Sequence, residues 1–498
     1  MNYQSTRNSN LRVDSAQAIK NGISPDGGLY VPCEIPSVSL DDILALSKMK
    51  YTERAAHILG LFLTDYSADE LKECAENAYE ATKFGSDDTA PVYKLDNKTN
   101  ILELWHGPTC AFKDMALQIL PHILTRAIAK TGENNEVVIL VATSGDTGKA
   151  ALEGFKDVAG TKIQVFYPVD GVSKIQKLQM ATQEGSNVSV CAVYGNFDDA
   201  QTGVKTIFTN EAYKSELAQR GYSLSSANSI NWGRLAPQIV YYFSAYCDLL
   251  KNGQIKNGDK INIVVPTGNF GNILAAYYAK LMGLPVKKLI CASNSNNVLT
   301  QFIDTGVYSR NREFYTTISP SMDILISSNL ERLLFHMSGC DSELISEYMS
   351  KLNQNGEYEV SQEIRQKISD VFTGGYCNDE ETVRTIADVF SKYSYVIDTH
   401  TAVAVNVYEK YVQSTGDETV TVIASTANPF KFNQAVISAV APDVDPEKLD
   451  EFEMLDALAE NGNIKIPPQL AELRSKEVRF SNVCNKEDMI KQTDAFLV

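Results

Sequence analysis

The sequence predicts an α/β protein built on parallel sheet covered on both faces, preceded by a mostly helical unit. Three observations carry this. Short β-branched runs (EVVILVA, KIQVFYP, VSVCAVYG, KINIVVPTG, KKLICASN) alternate with helical stretches such as KAALEGFKDVAG, IQKLQMATQEG and RLAPQIVYYFSAYCDLLK. The strands are apolar almost throughout, as strands buried on both faces are. At 498 residues, 44% of them hydrophobic and 21% charged, the chain has length for about three units and a sizeable core.

Residues 1–95 form the helical unit. The turn SPDGGLYVP is followed by DDILALSKMKYTERAAHILGLFL and SADELKECAENAYEATKF, both apolar at helical spacing. Thr6 and Arg7 are polar and could reach a site, although nothing local demands it. The run HGPTCAFKDMALQ, residues 106 to 118, comes next. Asp is a favoured N-cap, so a helix is expected to begin at Asp114, with a stripe of Ile119, Leu120, Ile123, Leu124 and Ile128 and a kink at Pro121. Lys113 then stands just outside a helix start, with Ala111 and Phe112 as an apolar wall. A lysine there becomes a nucleophile or base at neutral pH only if burial, a nearby cation or an imine alters it. On these residues alone it reads as readily as a surface lysine.

Parallel sheets bind ligands beyond the carboxyl ends of their strands. VATSGDTGKAAL, residues 141 to 152, ends a strand in a hydroxyl- and glycine-rich turn. It is not a Walker loop, which would need glycine at Thr143 and Ser or Thr at Ala150. An ordinary strand-to-helix turn stays open as its reading. VVPTGNFGNILAAYYA, residues 264 to 279, places Gly268, Asn269, Phe270, Gly271 and Asn272 between a strand and a helix, where unpaired N–H groups favour a phosphate. The glycine spacing does not match a dinucleotide fingerprint, so a cofactor with one terminal phosphate fits better. Residues 309 to about 395 read as an inserted, peripheral region. The sheet resumes at YSYVIDTHTAVAV and TVTVIASTANPFKF, where Ser425, Thr426 and Asn428 end a buried strand, and a charged helical cap follows from about 445.

A net charge of −17 argues against nucleic acid or an anionic membrane as partner. No apolar run reaches the roughly 20 residues of a membrane span. The N-terminus lacks the basic and apolar segments of a signal peptide, and the nine cysteines have no close pairs, which together point to the cytoplasm. No pair of the five histidines has metal-ligand spacing, so no metal is expected.

A lysine in a loop, a phosphate cup at a helix start, a hydroxyl-rich turn and a polar strand end suggest pyridoxal 5'-phosphate chemistry. STRNSNLRVDSAQAIKNGISPDGGLYVP, HGPTCAFKDMALQ, VATSGDTGKAA, PTGNFGN, SPSMDI and STANPFKF resemble the threonine synthases over residues 5 to about 435. The resemblance implies the tryptophan synthase β-like fold (fold type II), with two open parallel-sheet α/β subdomains in residues 96–445, an extra N-terminal helical domain in 1–95 and a C-terminal helical cap in 446–498. By position, Lys113 would hold the cofactor as an imine and serve as the base. Gly268, Asn269, Phe270, Gly271 and Asn272 would cradle its phosphate, Thr426 would face its pyridine nitrogen, and Asp146 would lie near its ring hydroxyl. Thr143, Ser144 and Thr147 fall on the substrate side.

The implied reaction converts O-phospho-L-homoserine and water to L-threonine and phosphate, in a monomer or homodimer. Two positions depart from the family pattern. Asn428 stands where His is frequent and Cys110 where a bulkier apolar residue is frequent. The competing readings are a lyase or dehydratase on the same scaffold giving a 2-keto acid, and a non-catalytic pyridoxal-phosphate-binding protein.

Overall fold

The computed structural model describes every residue except Asp87, Ser144, Gly171 and Val498, and the side chain of Asp198. In chain order the strands are β1 (Tyr3–Ser5), β2 (Asn8–Val13), β3 (Tyr30–Pro32), β4 (Val92–Lys94), β5 (Thr99–Glu103), β6 (Glu136–Ala142), β7 (Thr161–Pro168) and β8 (Val188–Val193). They continue with β9 (Tyr222–Ser225), β10 (Ile261–Pro266), β11 (Val286–Ser293), β12 (Val307–Ser309), β13 (Glu357–Glu359), β14 (Phe372–Tyr376), β15 (Thr421–Ser425) and β16 (Val483–Cys484).

Two parallel sheets carry the α/β region. One runs β14-β11-β10-β15-β5-β4, with only β4 antiparallel; the other runs β16-β8-β7-β6-β9 and is parallel throughout. Every residue of β10 and β15 is buried, which is why these strands are apolar on both faces. The expected runs correspond to β6, β7, β8, β10 and β11.

The N-terminal unit holds the expected helices Leu40–Leu46, Tyr51–Phe62 and Ala68–Ala78; the first and third start in capping boxes at Ser39 and Ser67. It also holds an antiparallel sheet, β2-β1-β3, that the polar text NYQS and NSNLRV did not announce. Rings of Tyr3, Phe62 and Tyr278 pack on Trp232 at 5.5, 5.5 and 5.3 Å, joining this unit to the α/β region. Thr6 and Arg7 do not reach a ligand site: both bond Glu331, Arg7 through Nε (2.9 Å) and a terminal nitrogen (2.7 Å).

Three other expectations change. The helix after Lys113 is two helices, Asp114–Leu117 and Leu120–Lys130, and Pro121 sits in the first turn of the second, where its missing N–H costs nothing. Residues 309 to 395 are not peripheral: β14 is an edge strand of the six-stranded sheet, and the turn Pro320–Met322 reaches Lys113. Beyond 445, β16 adds to the edge of β8. No helix among the described residues is long and apolar enough to cross a membrane.

Candidate active site

The site lies where carboxyl ends of strands from both parallel sheets meet. Leaving β5, residues 106 to 113 double back across the end of β15. The Phe112 N–H donates to the Thr426 carbonyl (2.8 Å) and the Asn428 N–H to the Cys110 carbonyl (3.0 Å). Asn428 spends its side chain locally, accepting the Phe430 N–H at 3.1 Å. Cys110 turns the loop at φ 59°, and burial pushes its thiol up to about 12, so it is a packing residue with no thiolate to offer. Asp114 does not cap its helix. Fully buried, it accepts the N–H and hydroxyl of Thr109 at 2.8 and 2.7 Å, and burial raises its carboxyl to about 7. A Cβ on Gly107 would lie 2.5 Å from that carboxylate, so glycine lets the loop close over it.

Lys113 is 11% exposed. Its Nζ stands 3.4 Å from Asp146 Oδ2, 3.3 Å from Ser321 Oγ and 5.7 Å from the centre of the Phe112 ring. Burial lowers its pKa. Asp146 opposes that shift, while the charges of Lys431 and Arg234 reinforce it. The bland reading of a surface lysine is thereby excluded.

Asp146 opens the helix Asp146–Phe155 after Gly145, whose φ of 142° suits only glycine and whose absent Cβ leaves room for Gln176. Oδ1 accepts from Gln176 Nε2 at 2.8 Å and lies 2.6 Å from Lys431 Nζ. Burial alone would raise this carboxyl, but Lys431 and Lys113 hold it far below the usual carboxylate range. It is therefore an anion matched by two ammonium groups. The Thr143 hydroxyl is committed to the same turn, accepting from the N–H groups of Gly145 (3.0 Å) and Gly148 (2.9 Å). Thr147 is half-buried at the helix start, and Ser144 lies outside the described residues.

After β10, Gly268 passes so close to the Ser321 carbonyl that a Cβ would lie 2.5 Å from it. Asn269 offers its carbonyl to the N–H and side-chain amide of Asn329, both at 3.1 Å. Phe270 takes φ 63° ahead of the helix Gly271–Leu281 and packs its ring against Phe372. Asn272 accepts from Tyr241 (2.8 Å) and from Tyr242, while its amide nitrogen is buried without a partner among the described residues. The free N–H groups of the helix start and this orphaned amide fit a phosphate.

Five contributors escaped the sequence reading. Ser321 and Lys431 lie inside motifs already singled out, SPSMDI and NPFKF, and a lysine between two phenylalanines is itself a burial signal. Arg234 sits on the helix Trp232–Lys251 with Gln238 and Tyr241, at i, i+4 and i+7 on one face. It is 4% exposed, donates to the Ala227 carbonyl (2.7 Å), and keeps an Nε without a partner among the described residues; burial lowers its pKa to about 10. His400 and Asp398 form a buried pair, Nδ1 to Oδ1 3.0 Å, beneath Ser321. Among the described residues no group of three His, Cys, Asp or Glu side chains could hold a metal ion.

Comparison with known proteins matches three family descriptions: "Threonine synthase N terminus" over residues 2–79, "Pyridoxal-phosphate dependent enzyme" over 101–426 and "Threonine synthase, C-terminal" over 401–493. Human threonine synthase-like 1 is 41% identical over 435 residues, covering 85% of this chain and 58% of that protein, so the chain spans little over half the length of that relative. The threonine synthase of Saccharomyces cerevisiae is 36% identical over 489 residues (91% of this chain, 93% of that one), and that of Pseudomonas aeruginosa 37% over 457 (91% and 94%). The crystal structure of pyridoxal-phosphate-bound threonine synthase from Brucella melitensis superimposes with TM-score 0.88 at 36% identity, covering 100% of this chain and 99% of that one. The yeast threonine synthase structure gives 0.88 at 32% identity, covering 100% and 98%.

Proposed function

Because this chain belongs to the threonine synthase family of pyridoxal-phosphate-dependent enzymes, we propose that it converts O-phospho-L-homoserine and water to L-threonine and phosphate. The observation that carries this is Lys113, largely shielded from solvent, lowered in pKa by burial, and held 3.4 Å from Asp146 and 3.3 Å from Ser321, whose carbonyl lies against Gly268. Bound pyridoxal phosphate supplies an electron sink for negative charge developing on the substrate carbons.

Lys113 holds the cofactor and, when its amine is free, takes protons from the substrate Cα and Cβ and returns them. Asp146 and Ser321 orient its Nζ from two sides. The N–H groups of residues 268 to 272 and the Asn272 amide would bind the cofactor phosphate, and Thr426 would stand beside the pyridine nitrogen with a hydroxyl in place of an acid. Arg234, together with Thr147, Ser144 and the positive start of the helix Asp146–Phe155, receives the anionic groups of the substrate. With a net charge of −17 the chain has no overall field to draw an anion, so these local donors must do it. Thr143 serves the same subsite by holding the turn.

We divide the chain into the N-terminal unit 1–95, the cofactor-binding region 96–445 and the tail 446–498, and place it in the cytoplasm as a monomer or homodimer. Nine free cysteines support a reducing compartment. The test is a coupled assay of phosphate and threonine from O-phospho-L-homoserine with the cofactor-loaded chain. Both products should form in equal amounts and vanish in Lys113→Ala, which should also lose the visible absorption of bound cofactor. Threonine synthase is itself a carbon-oxygen lyase; a 2-keto acid without threonine would make this chain a phosphohomoserine lyase or hydroxy-amino-acid dehydratase instead.

A further inference from the structure

Lys431 has no exposed surface, yet it is a charged side chain on the short turn Pro429–Phe432. Its Nζ has two partners, Asp146 Oδ1 at 2.6 Å and the Thr109 carbonyl at 2.9 Å. Asp146 turns its other oxygen to Lys113. One buried carboxylate thus joins two buried ammonium groups, and only one of them changes its charge when the cofactor is held or released. Were Lys113 the sole partner, Asp146 would become an uncompensated buried anion at that moment, an arrangement that proteins avoid.

The frame around the three groups is rigid. Backbone hydrogen bonds tie 110–112 to 426–428, and Asp114 fixes Thr109, whose carbonyl holds Lys431. We propose that Lys431 is a positioning residue: bonded to Asp146 Oδ1 and the Thr109 carbonyl while Lys113 faces Oδ2, it holds the Asp146 carboxylate in place whatever the state of Lys113, and through that carboxylate it sets how readily Lys113 gives up its proton. Of the other charged or titratable groups nearby, Arg234 from the helix Trp232–Lys251 acts on Lys113, and Asp114 and Cys110 from the lysine loop feel Lys431; Lys149 and Glu153 from the helix Asp146–Phe155 act on Cys110 and Asp114 respectively. None of these bonds either Asp146 or Lys431 among the described residues.

The proposal rests on Lys113 as the reactive lysine but is read without turnover. In the cofactor-free full-length chain, the pH dependence of Lys113 labelling by an amine-reactive ester, followed by mass spectrometry of its peptide, reports the Lys113 titration midpoint. In the loaded chain, the pH dependence of the visible absorption reports the same balance. Lys431→Met removes a repelling cation and frees Asp146 for Lys113. The midpoint should rise by about one unit, slowing labelling near neutrality about tenfold. Lys431→Arg should restore it.

Should Lys431→Met fail to fold, the comparison is made in an Asp146→Asn background, where no carboxylate is stranded; there Lys431→Met should again raise the midpoint. A midpoint unchanged in both backgrounds, with only the melting temperature moved, would overturn the proposal. Altered labelling in a chain that makes no threonine would leave it standing while sinking the assigned activity.

Discussion

The N–H of Ser321 donates to His400 Nε2 at 3.2 Å, while the Ser321 hydroxyl stands 3.3 Å from Lys113 Nζ. Because His400 Nε2 accepts, its proton resides on Nδ1, facing Asp398. The buried pair therefore fixes a loop rather than transferring protons. His400→Leu should lower kcat about tenfold and cost roughly 1 kcal/mol for the ring hydrogen bond lost at Asp398, which keeps the N–H groups of His400 and Thr401 and the Thr401 hydroxyl. His400→Gln, which can still accept from Ser321, should recover much of the activity. Steady-state kinetics with thermal melts check both.

Asp114 makes stability depend on pH. Its native carboxyl titrates at about 7, against roughly 3.9 for an unfolded one. Between those values the native chain keeps a proton that the unfolded chain has released. The stabilisation is complete below the unfolded pKa and is lost as pH rises through the native one, at up to about 1.4 kcal/mol per unit. Asp114→Asn mimics the protonated form and keeps both Thr109 contacts. Denaturant unfolding at about pH 5 and about pH 8 should show the natural chain losing more stability than the variant across that interval.

Gly268 holds the two halves of the cup together. With only 2.5 Å between an added Cβ and the Ser321 carbonyl, Gly268→Ala must push the 319–323 turn off Lys113. Cofactor affinity and kcat should each fall by about tenfold or more, in keeping with the cost of small displacements at a reacting centre. Fluorescence titration of the cofactor separates the two effects.

Arg7 belongs to the scaffold. It pairs through two nitrogens with Glu331, which is only 5% exposed. Arg7→Ala should destabilise the chain by about 2 kcal/mol, because among the described residues Glu331 is left buried with only the Thr6 hydroxyl. KM for the phosphorylated substrate should stay unchanged.

How much was legible in the sequence follows the range of the interactions. The parallel strands were visible because burial on both faces writes itself into consecutive residues, as in all six of β10. Lys113 and the 268–272 turn were visible because each lies at a strand or helix junction with its own local pattern. The β2-β1-β3 sheet was not, since its pairing of Tyr3 with Val13 and Pro32 depends on distant partners and its outer strand is polar. Asp114 shows how a local rule can be outbid: a good N-cap residue turned back to Thr109 because the loop had to be closed. Lys431, Ser321 and Arg234 acquire their roles only when segments hundreds of residues apart meet, and no spacing rule reaches that far.

Turnover of O-phospho-L-homoserine in heavy-oxygen water separates addition of water at carbon from hydrolysis of the phosphate ester. One labelled oxygen is expected in the hydroxyl of L-threonine and none in the released phosphate, because the phosphate leaves with its ester oxygen and water adds to carbon. Label in the phosphate instead, or a 2-keto acid in place of threonine, would contradict the assigned activity.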